Sequence, residues 1–222
     1  MICCRNIRFS YPGEPFELVI EALDVAAGES VAMVGPSGCG KTTLMNLIAG
    51  ILLPVSGSIV TGGHSMNELK LKERQRFRIR GVGLIPQNFD LLEYLTVCEN
   101  ILLPFRVSGE LRISDVVAQR CEELAERAGI LQYLEKYPSQ LSTGERQRVA
   151  VCRGLIASPS LILADEPTGN LDPENQDKIV SLLLEEASQI NATVLMITHE
   201  PELCSRFSQT IDLRDLREGG AL

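Results

Sequence analysis

Gly35-Pro36-Ser37-Gly38-Cys39-Gly40-Lys41-Thr42 follows the short apolar run Ser30–Val34 and opens a helical pattern at Lys41–Ala49. The spacing G-x-x-x-x-G-K-[ST], placed between a strand and a helix, predicts a loop that binds nucleotide phosphates. Its glycines let backbone N–H groups turn inward, and the positive end of the following helix points at the same place. Lys41 supplies a positive charge to the β- and γ-phosphates, and Thr42 offers a hydroxyl to Mg²⁺. The alternative is an ordinary glycine-rich turn, and the strand-to-helix context argues against it.

The composition is that of a soluble globular domain. The 222 residues are 45% hydrophobic and 23% charged, enough for one large core or a core with an inserted lobe. The net charge of −8 argues against a nucleic-acid partner and against direct binding to anionic lipid. No stretch approaches the roughly 18 apolar residues that span a membrane, and the N-terminus lacks a signal-peptide pattern. We therefore expect any membrane contact to run through a protein partner.

Seven cysteines are present, an odd number, and no two have C-x-x-C spacing. This pattern argues against a disulfide framework or a zinc site. We expect reduced and mostly buried thiols in a cytoplasmic protein.

Strand and helix patterns alternate along the chain, which predicts an α/β fold. Strand patterns cover Ile2–Phe9, Glu17–Val25, Ser30–Val34, Ser58–Thr61, Val82–Ile85, Leu161–Ala164 and Thr193–Thr198. Residues 88–157 are mostly helical in pattern: Thr96 and Glu99 form a capping box, and Ser114–Ala128 has helical spacing with Glu122, Glu123, Glu126 and Arg127 facing water. A further helix is expected near Glu174–Ile190. The patterns together predict a mixed α/β core that holds a helical insert.

Two adjacent carboxylates end the apolar strand Leu161–Ala164. Neighbouring strand residues face opposite ways, so Asp165 and Glu166 can have different roles. Asp165 is the candidate Mg²⁺ ligand, and Glu166 is the candidate general base for an attacking water. Taken alone, such a pair is equally well the start of a loop.

The third motif is Leu141-Ser142-Thr143-Gly144-Glu145-Arg146-Gln147-Arg148. Ser142 and Glu145 form a capping box, so a helix begins there with free N–H groups, and an ordinary helix cap is the alternative explanation. The motif resembles the signature sequence of ABC ATPases. That resemblance implies a second phosphate clamp, formed by Ser142, Thr143, Gly144 and Glu145, that contacts the γ-phosphate held by a second copy. It also implies two ATP molecules sandwiched in a head-to-tail homodimer.

The resemblance covers nearly the whole chain, and its motifs fall in the family order. It implies adenine stacking for Tyr11, for which a core or turn tyrosine is the alternative. It implies a Q-loop glutamine at Gln87 that contacts Mg²⁺, a D-loop at 169–172, and a switch histidine at His199. The implied catalytic residues are Glu166, His199 and Gln87, and the implied metal ligands are Thr42, Gln87 and Asp165. The implied ATP-binding residues are Tyr11, Gly35, Pro36, Ser37, Gly38, Cys39, Gly40, Lys41, Thr42 and Thr43. His64 matches no role and is interpreted as a surface loop residue.

The fold implied by the resemblance is a P-loop NTPase (RecA-like) core with an antiparallel β subdomain and an inserted helical subdomain. The α/β core would comprise residues 1–87 and 158–222, and the helical subdomain about 88–157. Three positions depart from the family pattern. Thr143 stands where most signatures have glycine, and Cys152 and Gly154 replace the usual alanines. Gly154 is expected to weaken its helix by about 1 kcal/mol.

The stretches Gln87–Leu92 and Leu95–Pro104 resemble the branch with lipoprotein-release and macrolide-export ATPases. We therefore expect an ATP- and Mg²⁺-dependent ATPase subunit on the cytoplasmic face of the inner membrane, bound to a separate permease. Its expected task is export or extraction of a lipoprotein, peptide or hydrophobic compound. The candidate permease contacts are Phe89, Leu91, Leu92 and Leu95, and packing within the helical lobe is their alternative. Two other functions stay open: a soluble ATPase that remodels nucleic acid or a protein complex, and a protein that binds ATP without hydrolysis.

Overall fold

The computed structural model describes residues 1–109 and 111–216. Its strands, in chain order, are β1 (Ile2–Ser10), β2 (Glu17–Val25), β3 (Ser30–Val34), β4 (Ser56–Thr61), β5 (His64–Ser65), β6 (Val82–Ile85), β7 (Leu161–Asp165), β8 (Thr193–Ile197) and β9 (Gln209–Asp212). Its α-helices are α1 (Lys41–Ile48), α2 (Leu71–Gly81), α3 (Val97–Ile101), α4 (Leu103–Val107), α5 (Asp115–Arg127), α6 (Thr143–Leu155), α7 (Pro173–Gln189) and α8 (Pro201–Cys204). Two single 3₁₀ turns lie at Leu131–Tyr133 and Pro138–Gln140.

A five-stranded parallel sheet forms the centre of the molecule, with strand order β6-β7-β8-β3-β9. All residues of β7 and β8 are buried, because helices cover both faces of the sheet. Parallel strands present their carboxyl ends at one edge, which is where ligands bind in open α/β sheets. The strands β3, β6, β7 and β8 all end at that edge, and their following loops carry the candidate site residues.

A second sheet is antiparallel, with order β2-β1-β4-β5. Strand β1 alternates between core and solvent: Ile2, Cys4, Ile7 and Phe9 are buried, and an irregularity between Arg5 and Arg8 interrupts its pairing with β4. This sheet packs over α1 and shares one hydrophobic cluster with it. The predicted fold class, an α/β core with an antiparallel β sheet and inserted helices, is confirmed.

Helices α3 to α6 lie within residues 88–157, and their starts follow the sequence signals. Thr96 caps α3 and Ser114 caps α5, each by accepting a hydrogen bond from the backbone N–H three residues on. Helix α5 is tied to α7 by Glu186, which is 2% exposed and pairs with both Arg120 and Arg127. Without both arginines Glu186 would be an uncompensated buried charge, so these ion pairs connect α5 to α7.

Four elements were not expected from the sequence: α2, β5, α8 and β9. Helix α2 contains only three large apolar residues, Leu71, Phe77 and Ile79. These are too few to give the apolar periodicity that predicts a helix from sequence. Strand β9 pairs only with β3, more than 170 residues away in sequence. His64 is exposed as expected, but the interpretation as a loop residue is wrong. It lies in β5, paired with Thr61, and its ring is 5.6 Å from that of Phe77.

The cysteines agree with the expectation of reduced thiols: none of the seven forms a disulfide, and Cys4, Cys39, Cys121 and Cys152 are buried. Burial raises the pKa of the Cys4 and Cys152 thiols to about 12, which keeps both protonated at neutral pH. In the described part of the chain, no helix combines the length and the apolarity that crossing a membrane requires.

Gly154 has a packing role that its helix propensity does not show. A Cβ at this position would lie 2.6 Å from Cγ1 of the buried Ile85 on β6. A Cβ on the facing Gly83 would lie 2.3 Å from the Gly154 carbonyl oxygen. Two glycines therefore let α6 approach β6 more closely than any other residue would allow.

Candidate functional site

The loop between β3 and α1 is built from glycines whose backbone other residues rarely adopt. Gly35, Gly38 and Gly40 have φ of 147°, 75° and 102°. Helix α1 starts at Lys41, so its first N–H groups face the loop. Lys41 is 7% exposed, and its Nζ donates to the carbonyl oxygens of Gly35 at 2.7 Å and Pro36 at 3.0 Å. The ammonium therefore lies inside the curve of the loop, where a phosphate group would be bound.

A cavity of about 370 Å³ opens over this loop. It is lined by Tyr11, Glu14, Phe16, Ser37, Gly38, Gly40, Lys41, Thr42, Thr43, Gln87 and Glu166. The Tyr11 ring packs edge-on against Phe9 with centroids 4.8 Å apart, and its hydroxyl lies 3.2 Å from Oγ1 of Thr43. Tyr11 thus lines the cavity and also packs against the edge of the core. The sequence reasoning missed Glu14 and Phe16, although both are close to Tyr11 in the chain.

Asp165 contacts Thr42, which lines the cavity. The Thr42 hydroxyl donates to Oδ2 of Asp165 at 2.6 Å, and Asp165 is only 4% exposed. Burial raises the pKa of the Asp165 carboxyl, and the Thr42 hydrogen bond and the Lys41 charge act in the opposite direction. Two oxygen groups of the kind that hard cations prefer are therefore side by side beneath the phosphate loop.

The Glu166 side chain contacts Gln87 and His199, which follow two other strands of the central sheet. Its Oε2 accepts a hydrogen bond from Nε2 of Gln87 at 3.1 Å and lies 2.8 Å from Nε2 of His199. Its backbone has φ of 48°, in the left-handed region that costs a non-glycine residue about 1–2 kcal/mol. A strained backbone of this kind persists only where its surroundings hold it, and such residues cluster at functional sites.

The signature turn lies apart from this cavity. The Ser142 hydroxyl accepts from the Glu145 backbone N–H at 3.3 Å, and the Glu145 carboxylate accepts from the Ser142 N–H at 2.7 Å, so the expected capping box is present. Ser142 and Thr143 are exposed. Among the described residues that line the cavity, none belongs to the signature turn. A single copy of the chain therefore does not bring Ser142 or Gly144 into its own cavity.

Segment 169–172 packs behind the signature turn. A Cβ on Gly144 would lie 2.9 Å from Cδ2 of Leu171, so this glycine allows the close contact. Asp172 caps α7 by accepting from the Asn175 N–H at 3.1 Å. The candidate permease contacts Phe89, Leu91, Leu92 and Leu95 are all partly buried, and Leu91 packs against the core.

Comparison with known proteins agrees with this geometry. A protein-family model described as "ABC transporter" matches residues 21–169, about two thirds of the chain. The chain therefore belongs to the ABC transporter family. This ABC protein is 39% identical over 220 residues to an uncharacterized ABC transporter ATP-binding protein of Mycobacterium tuberculosis, covering 98% of this chain and 86% of the relative. It is 37% identical over 218 residues to the lipoprotein-releasing system ATP-binding protein LolD of Pseudomonas fluorescens, covering 97% and 95%.

The fold comparison points the same way. A dimeric ATP-binding cassette in a post-hydrolysis state, bound to ADP and Pi, matches with a TM-score of 0.89 and 30% identity, covering 99% of this chain and 95% of that one. The chain is thus an ATP-binding and ATP-hydrolysing subunit of an ABC transporter. This confirms the expected activity, and it does not favour the alternative of a soluble remodelling ATPase.

Proposed function

We propose that this ABC subunit hydrolyses ATP with Glu166 as general base, in a site completed by a second copy of the chain. One observation carries the assignment. Oε2 of Glu166 faces both Gln87 and His199, at 3.1 Å and 2.8 Å, beside the cavity that Lys41 enters. Two side chains from separate strand ends, Gln87 and His199, thus converge on one oxygen of Glu166. A carboxylate held in this way is positioned to accept a proton from a water beside the γ-phosphate.

The roles of the other residues follow from their places around the cavity. The loop Gly35–Thr43 would bind the phosphates through its backbone N–H groups, with Lys41 on the β- and γ-phosphates. Tyr11 would stack on adenine at the open end of the cavity, since its ring is presented there beside Phe16. His199 would orient the γ-phosphate and the carboxylate together.

Mg²⁺ fits the oxygen donors of Thr42 and Gln87, which both line the cavity, and of Asp165, which accepts a hydrogen bond from Thr42. The Thr42 hydroxyl, the Asp165 carboxylate and the Gln87 amide supply oxygen atoms, which this cation prefers. Within residues 1–109 and 111–216, no group of three or more His, Cys, Asp or Glu could hold a metal. Mg²⁺ is usually bound through one or two protein groups together with substrate phosphates, so a smaller donor set is what it needs. When bound, it would neutralise charge that develops on the phosphates.

A second copy would supply the other half of the site. The helix start at Ser142 presents N–H groups and the positive end of α6 to solvent, away from the chain's own cavity. We propose that Ser142, Thr143, Gly144 and Glu145 contact the γ-phosphate bound by the partner, giving a head-to-tail homodimer around two ATP molecules. The structural relative described above is itself dimeric.

A separate permease is the proposed membrane partner, which would place the protein on the cytoplasmic face of the inner membrane. A cavity of about 220 Å³ lies between α2 and β6 on one side and α4 and α6 on the other, and mostly apolar side chains line it. A short permease helix suits such a groove. The proposed cargo is a lipoprotein, peptide or hydrophobic compound moved outward, because LolD relatives are named for lipoprotein release. Phe89, Leu91, Leu92 and Leu95 remain proposed permease contacts, and the Phe89 carbonyl accepts a hydrogen bond from Arg153, which lines the groove.

Replacing the general base tests the catalytic assignment. Glu166→Gln is expected to lower turnover about 10²- to 10⁴-fold, because a general base contributes on that scale. ATP binding is expected to persist and the ATP-bound dimer to accumulate, which phosphate release and size-exclusion chromatography with Mg-ATP will measure. Glu122→Gln, on the exposed face of α5, is the matched control and should hydrolyse normally. Near-normal turnover in Glu166→Gln would remove Glu166 from this role.

A pair of valines tests the permease groove. Val107 lines the groove and is 63% exposed, and Val116 on α5 is 75% exposed outside it. Val107→Glu is expected to keep ATP binding but to lose co-purification with the membrane subunit from detergent-solubilised membranes. Val116→Glu should retain the complex. Equal recovery of the complex with both variants would contradict docking at this groove.

A further inference from the structure

Gln147 is a fully buried amide on the signature helix that neither the motifs nor the assigned roles explain. It lies in the second turn of α6 and is 1% exposed. A buried amide must find partners for its N–H and C=O groups, because an unsatisfied polar group in the interior is costly. Its partners therefore show what the residue holds in place.

Both ends of the amide reach the single loop that connects β7 to α7. Nε2 of Gln147 donates to the backbone carbonyl of Glu166 at 3.0 Å, and Oε1 accepts from the backbone N–H of Asn170 at 3.3 Å. One side chain thus connects the signature helix to the backbone of the general base and to the segment packed behind the signature turn. Both contacts go to main-chain groups, so they constrain where the loop runs.

Glu166 needs such a constraint. Its φ of 48° is unfavourable for a residue with a side chain, and this conformation aims its carboxylate at Gln87 and His199. The Glu166 N–H donates to Ile197 on β8 at 3.0 Å, and its carbonyl accepts from both Gly169 N–H at 3.2 Å and Gln147. Among these contacts, that of Gln147 is the one made by a side chain, and it comes from the signature helix.

We propose that Gln147 is a positioning residue for Glu166, holding its backbone in the left-handed conformation and linking it to the signature helix. The proposal rests on the proposed role of Glu166 as general base. When α6 packs against the partner's nucleotide, the Gln147 amide moves with the helix. The position of α6 therefore determines the position of Glu166, the general base of the same chain. The two sites of the dimer are coupled through this contact because α6 faces one ATP and positions the carboxylate at the other.

Removing the amide tests this link. Gln147→Met keeps the length and the apolar stem but removes both hydrogen bonds. The kcat for hydrolysis is expected to fall about 10- to 100-fold, the scale on which a misplaced catalytic group loses rate. The KM for ATP and the Kd for a fluorescent ATP analogue are expected to change less than about threefold, because no contact with the nucleotide is altered. Gln147→Asn keeps the amide but shortens its reach by one methylene, so a folded protein with lowered kcat is expected there too. Gln132→Leu, at an exposed glutamine, is the control.

A double-mutant cycle separates this proposal from the role of Glu166. If Gln147 acts through the Glu166 carboxylate, Gln147→Met alone has a lower single-turnover rate of hydrolysis than the wild type. The double variant then has the same rate as Glu166→Gln alone. The same fold loss in both backgrounds would show that Gln147 acts elsewhere, and would overturn the proposal while leaving Glu166 as general base. Unchanged kcat in both Gln147→Met and Gln147→Asn would also overturn it. Normal hydrolysis in Glu166→Gln alone would instead refute the catalytic assignment.

Discussion

Replacing Gly154 by alanine sets two opposing effects against each other. Helix propensity alone predicts that Gly154→Ala stabilises α6 by about 1 kcal/mol. In the structure, however, the new methyl would lie 2.6 Å from Cγ1 and 3.2 Å from Cδ1 of Ile85. Carbon atoms in contact are ordinarily about 3.5–4.0 Å apart, so helix and strand must separate by about 1 Å. Ile85 is fully buried and branched at Cβ, and it cannot rotate away cheaply.

The magnitude follows from the balance of these two effects. Overpacking a core position typically costs about 1–3 kcal/mol, which exceeds the gain in helix propensity. The expected result is a net loss of about 1 kcal/mol in the free energy of unfolding, with a range from near zero to about 2 kcal/mol. For a domain of this size, 1 kcal/mol lowers the thermal midpoint by about 2–4 °C.

Gly81 provides the matched control. It is the last residue of α2, directly before β6, and a Cβ there meets only ordinary contacts, with Ser160 Oγ at 3.5 Å and Phe77 Cε2 at 3.9 Å. Gly81→Ala is therefore expected to leave the midpoint unchanged or to raise it slightly. Thermal and urea unfolding of both variants without nucleotide measure the difference. A midpoint for Gly154→Ala that equals or exceeds that of Gly81→Ala would refute the close-packing argument.

Three further outcomes are expected around the cavity. Tyr11→Ala should weaken ATP binding about tenfold through lost stacking, whereas Tyr11→Phe should keep most of the affinity; equal losses in isothermal titration would contradict adenine stacking. Lys41→Met should weaken ATP binding about 10- to 100-fold, because charge-assisted contacts to phosphate are lost; unchanged affinity would remove Lys41 from the phosphates. The raised folded-state pKa of Asp165 means that its contribution to stability falls as pH rises above the ordinary value of 3.8. Asp165→Asn should remove that part of the slope in urea unfolding without Mg²⁺, and identical slopes would argue against it.

Short-range signals carried most of what could be predicted about the site. The phosphate loop depends on glycines and a lysine within eight residues, and the signature turn depends on a capping box within four. Both motifs specify the local conformation of a few consecutive residues, so they can be recognised in the sequence without knowledge of the fold. Gln87, Glu166 and His199 each come shortly after a predicted strand, and the family resemblance gave them related roles; the structure brings these three together.

Elements that are stabilised by contacts with residues distant in sequence could not be predicted from local sequence patterns. Helix α2 has little apolar pattern, and Arg78 helps to hold it by donating to the Gly50 carbonyl at 2.9 Å. Strand β9 is short, and its partner β3 lies near the other end of the chain. Gln147 looked like one more polar residue after a helix cap, because its value depends on where Glu166 and Asn170 arrive in space. Local patterns do not show which distant segments will contact each other, and such tertiary contacts override local propensity.

Helix α6 contacts both the segment that carries Glu166 and the segment that follows Gln87. Its first turn carries the signature residues, its second turn holds the Glu166 carbonyl through Gln147, and Arg153 near its end donates to the carbonyls of Phe89 and Asp90. Those two carbonyls lie just after Gln87, in a segment where Phe89 and Asp90 both have positive φ. Close packing at Gly154 fixes α6 against the central sheet. A rigid helix with contacts at both ends cannot shift at the signature turn without displacing the other end. Movement that begins at the signature turn is therefore expected to reach the Gln87 segment and the proposed permease groove, because Arg153 and Gly154 belong to the wall of that groove.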